Sequence, residues 1–152
     1  MSEKKKFYDT ILVPVDGSKV SERAIQAAHE LAGSNIEVIV LSVAVSVDKD
    51  VMPSELMATG HIGNKDIQEN RLREVTGIAQ RAAETFRDAG ISVKDEVMTG
   101  DPAHCIIERV QEMDSPIVII GRRGLTGFRE LVIGSVSNKV VHYADCPVLV
   151  IN

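Results

Sequence analysis

Tryptophan is absent from this 152-residue chain, and aromatic residues make up only 3% of it. Proteins that hold unpaired nucleic-acid bases stack them on such rings, so the scarcity argues against that class of function. Positive charge is in deficit as well: 17 Lys and Arg stand against 22 Asp and Glu, a formal net charge of −5. A surface of that sign has no general attraction for a phosphate backbone or an anionic membrane, so any anion site must be local. No apolar run approaches the ~18 residues of a membrane span. The basic run Lys4-Lys5-Lys6 is not followed by a leader-like apolar segment, because Ile11 to Val15 is interrupted by Pro14 and ends at Asp16. Cysteine is limited to Cys105 and Cys146, with no CxxC and no Cys/His cluster, which fits a reducing cytoplasm better than a disulfide framework. His29, His61, His104 and His142 are scattered without metal-binding spacing.

Hydrophobic residues, by contrast, make up 44% of the chain, enough for one compact domain over residues 1–152 with a sizeable core. Their spacing alternates between two periods. Tyr8 to Asp16 reads as a buried strand that turns at Gly17, with Ser18 as the cap of a helix whose inward stripe is Val20, Ala24, Ala27, Ala28 and Leu31. Gly33 stops that helix, and the β-branched run Ile36 to Val47 predicts a strand covered on both faces. Residues 48–64, with Pro53, Gly60 and Gly63, predict a loop. A second helix follows over Lys65 to Ala89, closed by Gly90, and the alternation of Ile91, Val93 and Val97 with polar residues predicts a half-exposed edge strand, broken by Asp95. Asp101-Pro102 starts a third helix that turns Ile106, Val110 and Met113 inward. Pro116 to Ile120 is a strand, Ser135 to Tyr143 a short helix, and Pro147 to Ile151 a final strand. Strands alternating with helices imply a doubly wound α/β fold: a five-stranded, mainly parallel sheet with helices on both faces.

Ligands of such sheets bind beyond the carboxyl ends of the strands, where the strand order reverses. Two strand ends here depart from ordinary turns. Val15-Asp16-Gly17-Ser18 follows the first strand, and the glycine-rich stretch Gly121 to Ser135 follows the fourth. Glycine lets main-chain amides approach an anion, and a helix starting at Gly134-Ser135 adds free N–H groups and a positive dipole end. Between Gly121 and Lys139 lie Arg122, Arg123, Arg129 and Lys139 against the single acid Glu130, a local excess of positive charge in an acidic chain. The pattern is a phosphate cradle in kind, yet it is neither GxxxxGK[ST] nor GxGxxG after the first strand. Asp16 either accepts from ribose hydroxyls or caps the first helix, and both roles are compatible.

The spacing Gly121-x2-Gly124-x9-Gly134-Ser135, with Ile11-Leu-Val-Pro-Val-Asp-Gly-Ser18 at the start and Gly100-Asp-Pro102 before the third helix, resembles the universal stress protein family along nearly the whole chain. The resemblance implies a Rossmann-like fold of the adenine nucleotide alpha hydrolase type and a site for ATP or AMP, with Mg2+ or Mn2+ on the phosphates. It places Gly121, Gly124, Gly134, Ser135, Val136 and Ser137 around the phosphates, with Arg123 beside them. Asp16 falls near the ribose and adenine, the Val43 backbone at the adenine edge, and Pro14 and Val15 along the base pocket. It also implies a homodimer through the terminal strand, about residues 147–151, an apolar segment expected at a sheet edge. The expected function is a cytoplasmic stress or energy-state sensor that binds adenine nucleotide without strong catalysis, since no nucleophile, base or metal cluster accompanies the cradle. A weak ATP hydrolase or ATP-using enzyme on the same fold, and a ligand-free dimeric interaction module, are the competing readings. Nothing in the sequence separates ATP from AMP or a cyclic nucleotide.

Overall fold

The computed structural model describes residues 7–33, 35–46, 63–122 and 133–152. Along them run β1 (Thr10–Pro14), α1 (Lys19–Ala32), β2 (Glu37–Val45), α2 (Asn64–Asp88), β3 (Val93–Gly100), α3 (Pro102–Gln111), β4 (Pro116–Gly121), α4 (Ser135–Tyr143) and β5 (Val148–Ile151). Most of the loop expected at 48–64 lies outside the described residues.

Local chemistry sets the element ends. Ser18 caps α1 by accepting the Ser21 N–H at 3.2 Å, and Gly33 closes that helix at φ +54°. Asp101 caps α3 by accepting the His104 N–H at 3.0 Å, with Pro102 in the first turn where its missing N–H costs nothing. Asp101→Ala should therefore lower stability by about 1 kcal/mol. The check is a shifted denaturation midpoint with an unchanged denaturant slope.

The sheet has five parallel strands in the order β3-β2-β1-β4-β5. The chain steps outward from β1 to β3, then returns to lay β4 against the other side of β1, so the order reverses between β1 and β4. Right-handed crossovers put α1 and α2 on one face and α3 and α4 on the other. Alternate residues of β1 serve the two cores. Ile11, Val13 and Val15 pack with Ala24 and Ala28 of α1 and Ala79, Ala83 and Phe86 of α2. Leu12 packs with Ile106 and Val110 of α3 and Val140 of α4.

The inward face of α1 is Ser21, Ala24, Ala28 and Ala32, and Leu31, expected on that stripe, is 38% exposed. From Ala24 the buried row follows a spacing of four, and all of it consists of small side chains, which lets α1 lie close to the sheet. Against α2, His29 of α1 stacks on Phe86 with ring centroids 4.0 Å apart, and partial burial lowers its pKa.

Both strands expected at sheet edges are there. β3 is half-exposed and is pinned by ion pairs: Arg87 with Asp95, Lys94 Nζ with Glu37 at 2.8 Å, and Arg109 with Glu96 through two bonds of 2.6 and 2.9 Å. Asp95, the break in the alternation, thus pairs with an arginine of α2. The bonds from Glu96 push the Arg109 pKa further up, so the guanidinium holds its charge.

Candidate functional site

The reversal of strand order leaves a crevice where β1 and β4 separate, and Pro14 is the reason they do. Their ladder runs from Thr10↔Pro116 to Leu12↔Val118. The next ladder bond needs an N–H from residue 14, which proline lacks, so pairing stops there although β4 continues to Gly121. On the β2 side, β1 stays paired as far as Pro14↔Leu41, followed by a bond from the Val15 N–H to the Leu41 carbonyl at 2.8 Å. Beyond it the chain turns. Asp16 Oδ1 accepts the Ser18 N–H at 3.0 Å and Gly17 takes φ +80°, a left-handed conformation that glycine adopts without strain. Asp16 therefore builds the turn, while the helix cap itself is Ser18. Its other oxygen has no partner among the described residues.

At the end of β4, Gly121 lies under α1. A Cβ there would sit 2.8 Å from Val20 Cγ1 and 3.0 Å from the Val20 carbonyl carbon, so the helix seat itself demands glycine. Arg122 is an anchor: its N–H donates to the Ile151 carbonyl at 2.7 Å, and its Nη1 donates to Asn152 Oδ1 at 3.0 Å. Its carbonyl accepts from the Gly134 N–H at 2.8 Å and from Ser137 Oγ at 2.8 Å. These two bonds tie the start of α4 to the end of β4. Among the described residues the amino end of α4 is open: Gly134 at the N-cap position supplies no side-chain bond, and no acidic residue occupies the first turn. The amides of Ser135, Val136 and Ser137 precede the first intrahelical donor, Asn138, and form the positive end of the helix dipole.

Pro14, Val15 and Asp16 thus lie at the carboxyl end of β1, Gly121 at that of β4, and Gly134, Ser135, Val136 and Ser137 at the start of α4 tied to β4. Val43 joins them from β2, which outruns β1 by Ser42 to Val45. Ser137 is buried with its hydroxyl on the Arg122 and Gly134 carbonyls, so in this arrangement it shapes the loop ends. Arg122, counted from the sequence among the cations of the cradle, has its guanidinium on Asn152 instead. Arg123, Gly124, Arg129 and Glu130 lie outside the described residues. Sequence reasoning missed Ser42, only 1% exposed, whose hydroxyl donates to the Val15 carbonyl at 3.1 Å. Its signal was a lone polar residue within the apolar run Val38 to Val45.

Other features stand apart from this crevice. A cavity of about 410 Å³ lined by Phe7, Val110, Met113, Pro116 and Cys146 sits at the amino end of β4. Burial pushes the Cys105 and Cys146 thiols above their usual pKa, leaving both protonated at neutral pH. Among the described residues no His, Cys, Asp or Glu cluster suits a metal ion.

A five-stranded parallel α/β sheet whose strand order reverses between β1 and β4 belongs to the doubly wound, Rossmann-like class of folds. Within that class, the chain belongs to the universal stress protein family, whose model matches residues 7–152. Universal stress protein YxiE of Bacillus subtilis (strain 168) is 31% identical over 148 residues, covering 95% of this chain and 99% of that protein. Universal stress protein MJ0577 of Methanocaldococcus jannaschii is 27% identical over 154 residues, covering 95% of this chain and 94% of the relative. The solved structure of MJ0577 matches with a TM-score of 0.77 and 26% identity over 96% of each chain. The same fold recurs in a universal stress protein from Archaeoglobus fulgidus in complex with dAMP, at a TM-score of 0.67 and 23% identity over 97% of this chain and 100% of that one. It also recurs in an Arabidopsis thaliana family member with AMP bound, at 0.62 and 21% over 93% and 90%.

Proposed function

We propose that residues 1–152 form a single domain that binds an adenine nucleotide, ATP or AMP, at the β1/β4 switch point and acts as a cytoplasmic sensor or regulator without strong catalysis. The observation that carries the reading is the uncapped amino end of α4, held at the end of β4 by Arg122, where three main-chain amides await an anion. Ser135 and Val136 hold the phosphates through those amides, together with Arg123, Gly121, Gly124 and Gly134. Ser137 contributes its amide and keeps the loop ends closed. Asp16 offers its free oxygen to the ribose, Pro14 and Val15 line the base, and the Val43 backbone meets the adenine edge. Family members of the same fold with dAMP and AMP lend support. A divalent ion, Mg2+ or Mn2+, would rest mainly on phosphate oxygens and water, since Asp16 is the one carboxylate among the described residues proposed for the site. It would neutralise phosphate charge. The exposed Leu149 of edge strand β5 favours pairing with a second copy along residues 147–151.

Thermal unfolding of protein freed of ligand tests the reading. ATP or AMP at a hundred times its Kd should add about 2.7 kcal/mol of stability. For a chain of this length that corresponds to a Tm rise of roughly 5–10 °C. No shift with any adenine nucleotide rejects the proposal, and steady ATP consumption that is lost in Asp16→Ala would turn it towards an enzyme.

A further inference from the structure

Ser42 occupies a position that a parallel ladder reserves for a backbone donor. In such a ladder each inward residue donates to one partner and accepts from the next but one, so the Val15 N–H on the Leu41 carbonyl calls for a Val43 N–H on the Val15 carbonyl. That second bond is not made: the register ends at Pro14↔Leu41, and the Val15 carbonyl takes the Ser42 hydroxyl at 3.1 Å. Alternation fixes where the unused group points. Val38 donates to Ser92 on the β3 side, so even-numbered residues of β2 serve β3 and odd-numbered ones, Val43 included, turn their N–H and C=O toward β1. Past the end of β1 that direction is the crevice.

We propose that Ser42 is a positioning residue for base recognition: by satisfying the buried Val15 carbonyl itself, it keeps the Val43 amide out of the ladder and free to pair with a ligand. This inference rests on the nucleotide reading above only in naming the ligand. One strand residue presents a donor and an acceptor side by side, and the Watson–Crick edge of adenine carries the complementary acceptor and donor. Guanine carries them reversed, so the free Val43 edge selects adenine. Pro14 opens the β4 side of β1 by lacking a donor, and Ser42 opens the β2 side by replacing one.

Removing the hydroxyl in Ser42→Ala leaves the Val15 carbonyl, in a residue only 5% exposed, without a partner, and the Val43 N–H is the donor that a continued ladder would supply. Amide hydrogen exchange in the ligand-free protein reads this directly. The Val43 amide of the wild type should exchange much faster than that of Leu41, and Ser42→Ala should slow it at least tenfold, while Ser42→Thr, which keeps the hydroxyl, should behave as wild type. In competition binding, Ser42→Ala should weaken AMP about tenfold and reduce the preference for AMP over GMP, with Ser42→Thr restoring both. A wild-type Val43 amide as protected as Leu41 overturns the proposal, even if Ser42→Ala does not fold. An unchanged AMP-to-GMP ratio in a folded Ser42→Ala overturns it too. Failure of the wild type to bind AMP would instead strike the nucleotide reading and leave the exchange result standing.

Discussion

Gly121→Val should lower stability by about 3 kcal/mol and take nucleotide binding with it. The first atom added, Cβ, already falls 2.8 Å from Val20 Cγ1 and 3.0 and 3.1 Å from the Val20 carbonyl carbon and oxygen. A side-chain methyl can rotate away, but the carbonyl belongs to the first turn of α1 and moves only if the helix moves. Inserting methyl groups into a packed contact costs about 1–3 kcal/mol, and valine adds three carbons against backbone, which puts it at the upper end. Any relief comes from lifting the start of α1, and that start is continuous with the Asp16-Gly17-Ser18 turn. The crevice wall therefore shifts with the helix, and ATP affinity should fall by more than tenfold. Gly121→Ala should show the same signs with roughly half the stability loss. Urea denaturation and calorimetric titration measure both quantities. A valine variant within about 0.5 kcal/mol of the wild type would mean that α1 does not press on the end of β4.

Gly121 also illustrates what was legible beforehand and what was not. The sequence marks it as a glycine after a buried strand, and a ligand-binding role is the natural inference. The contact with Val20, about a hundred residues earlier in the chain, depends on how closely α1 packs, and that closeness comes from Ala24 and Ala28, whose smallness has no meaning until the neighbour is known. Pro14 and Ser42 are similar. Both break a local rule of an apolar strand, and both breaks are visible in the sequence, but their consequence depends on which strand lies on which side. Period and punctuation alone located the strands and helices, because Gly33, Gly90, Asp101-Pro102 and Gly134 act within a few residues of themselves. Side-chain destinations across the fold were less accessible: Arg122 reaches Asn152 and Asp95 reaches Arg87. Leu31 failed for a subtler reason, lying one position off a row whose spacing of four is set by contact with the sheet.

The open amino end of α4 makes stability and binding move in opposite directions, which separates a phosphate site from a merely structural helix start. Ser135 is the first residue of that helix, exposed, with no side-chain cap from Gly134 and no acid in the first turn. Ser135→Asp should stabilise the protein by about 0.5 kcal/mol, because a negative charge complements the helix dipole there. The same charge would stand about 5 Å from a bound phosphate, where the Coulomb repulsion at an effective dielectric of about 20 is about 3 kcal/mol. ATP and AMP should therefore bind on the order of a hundredfold more weakly to the more stable protein. Adenosine, which shares the base and ribose but carries no phosphate, should bind both proteins alike, and Ser135→Asn, neutral and of similar size, should retain nucleotide affinity within about threefold. Equal loss of adenosine and AMP would assign the effect to a distorted crevice. Undiminished AMP binding by a folded Ser135→Asp protein would remove the α4 amides from the phosphate site.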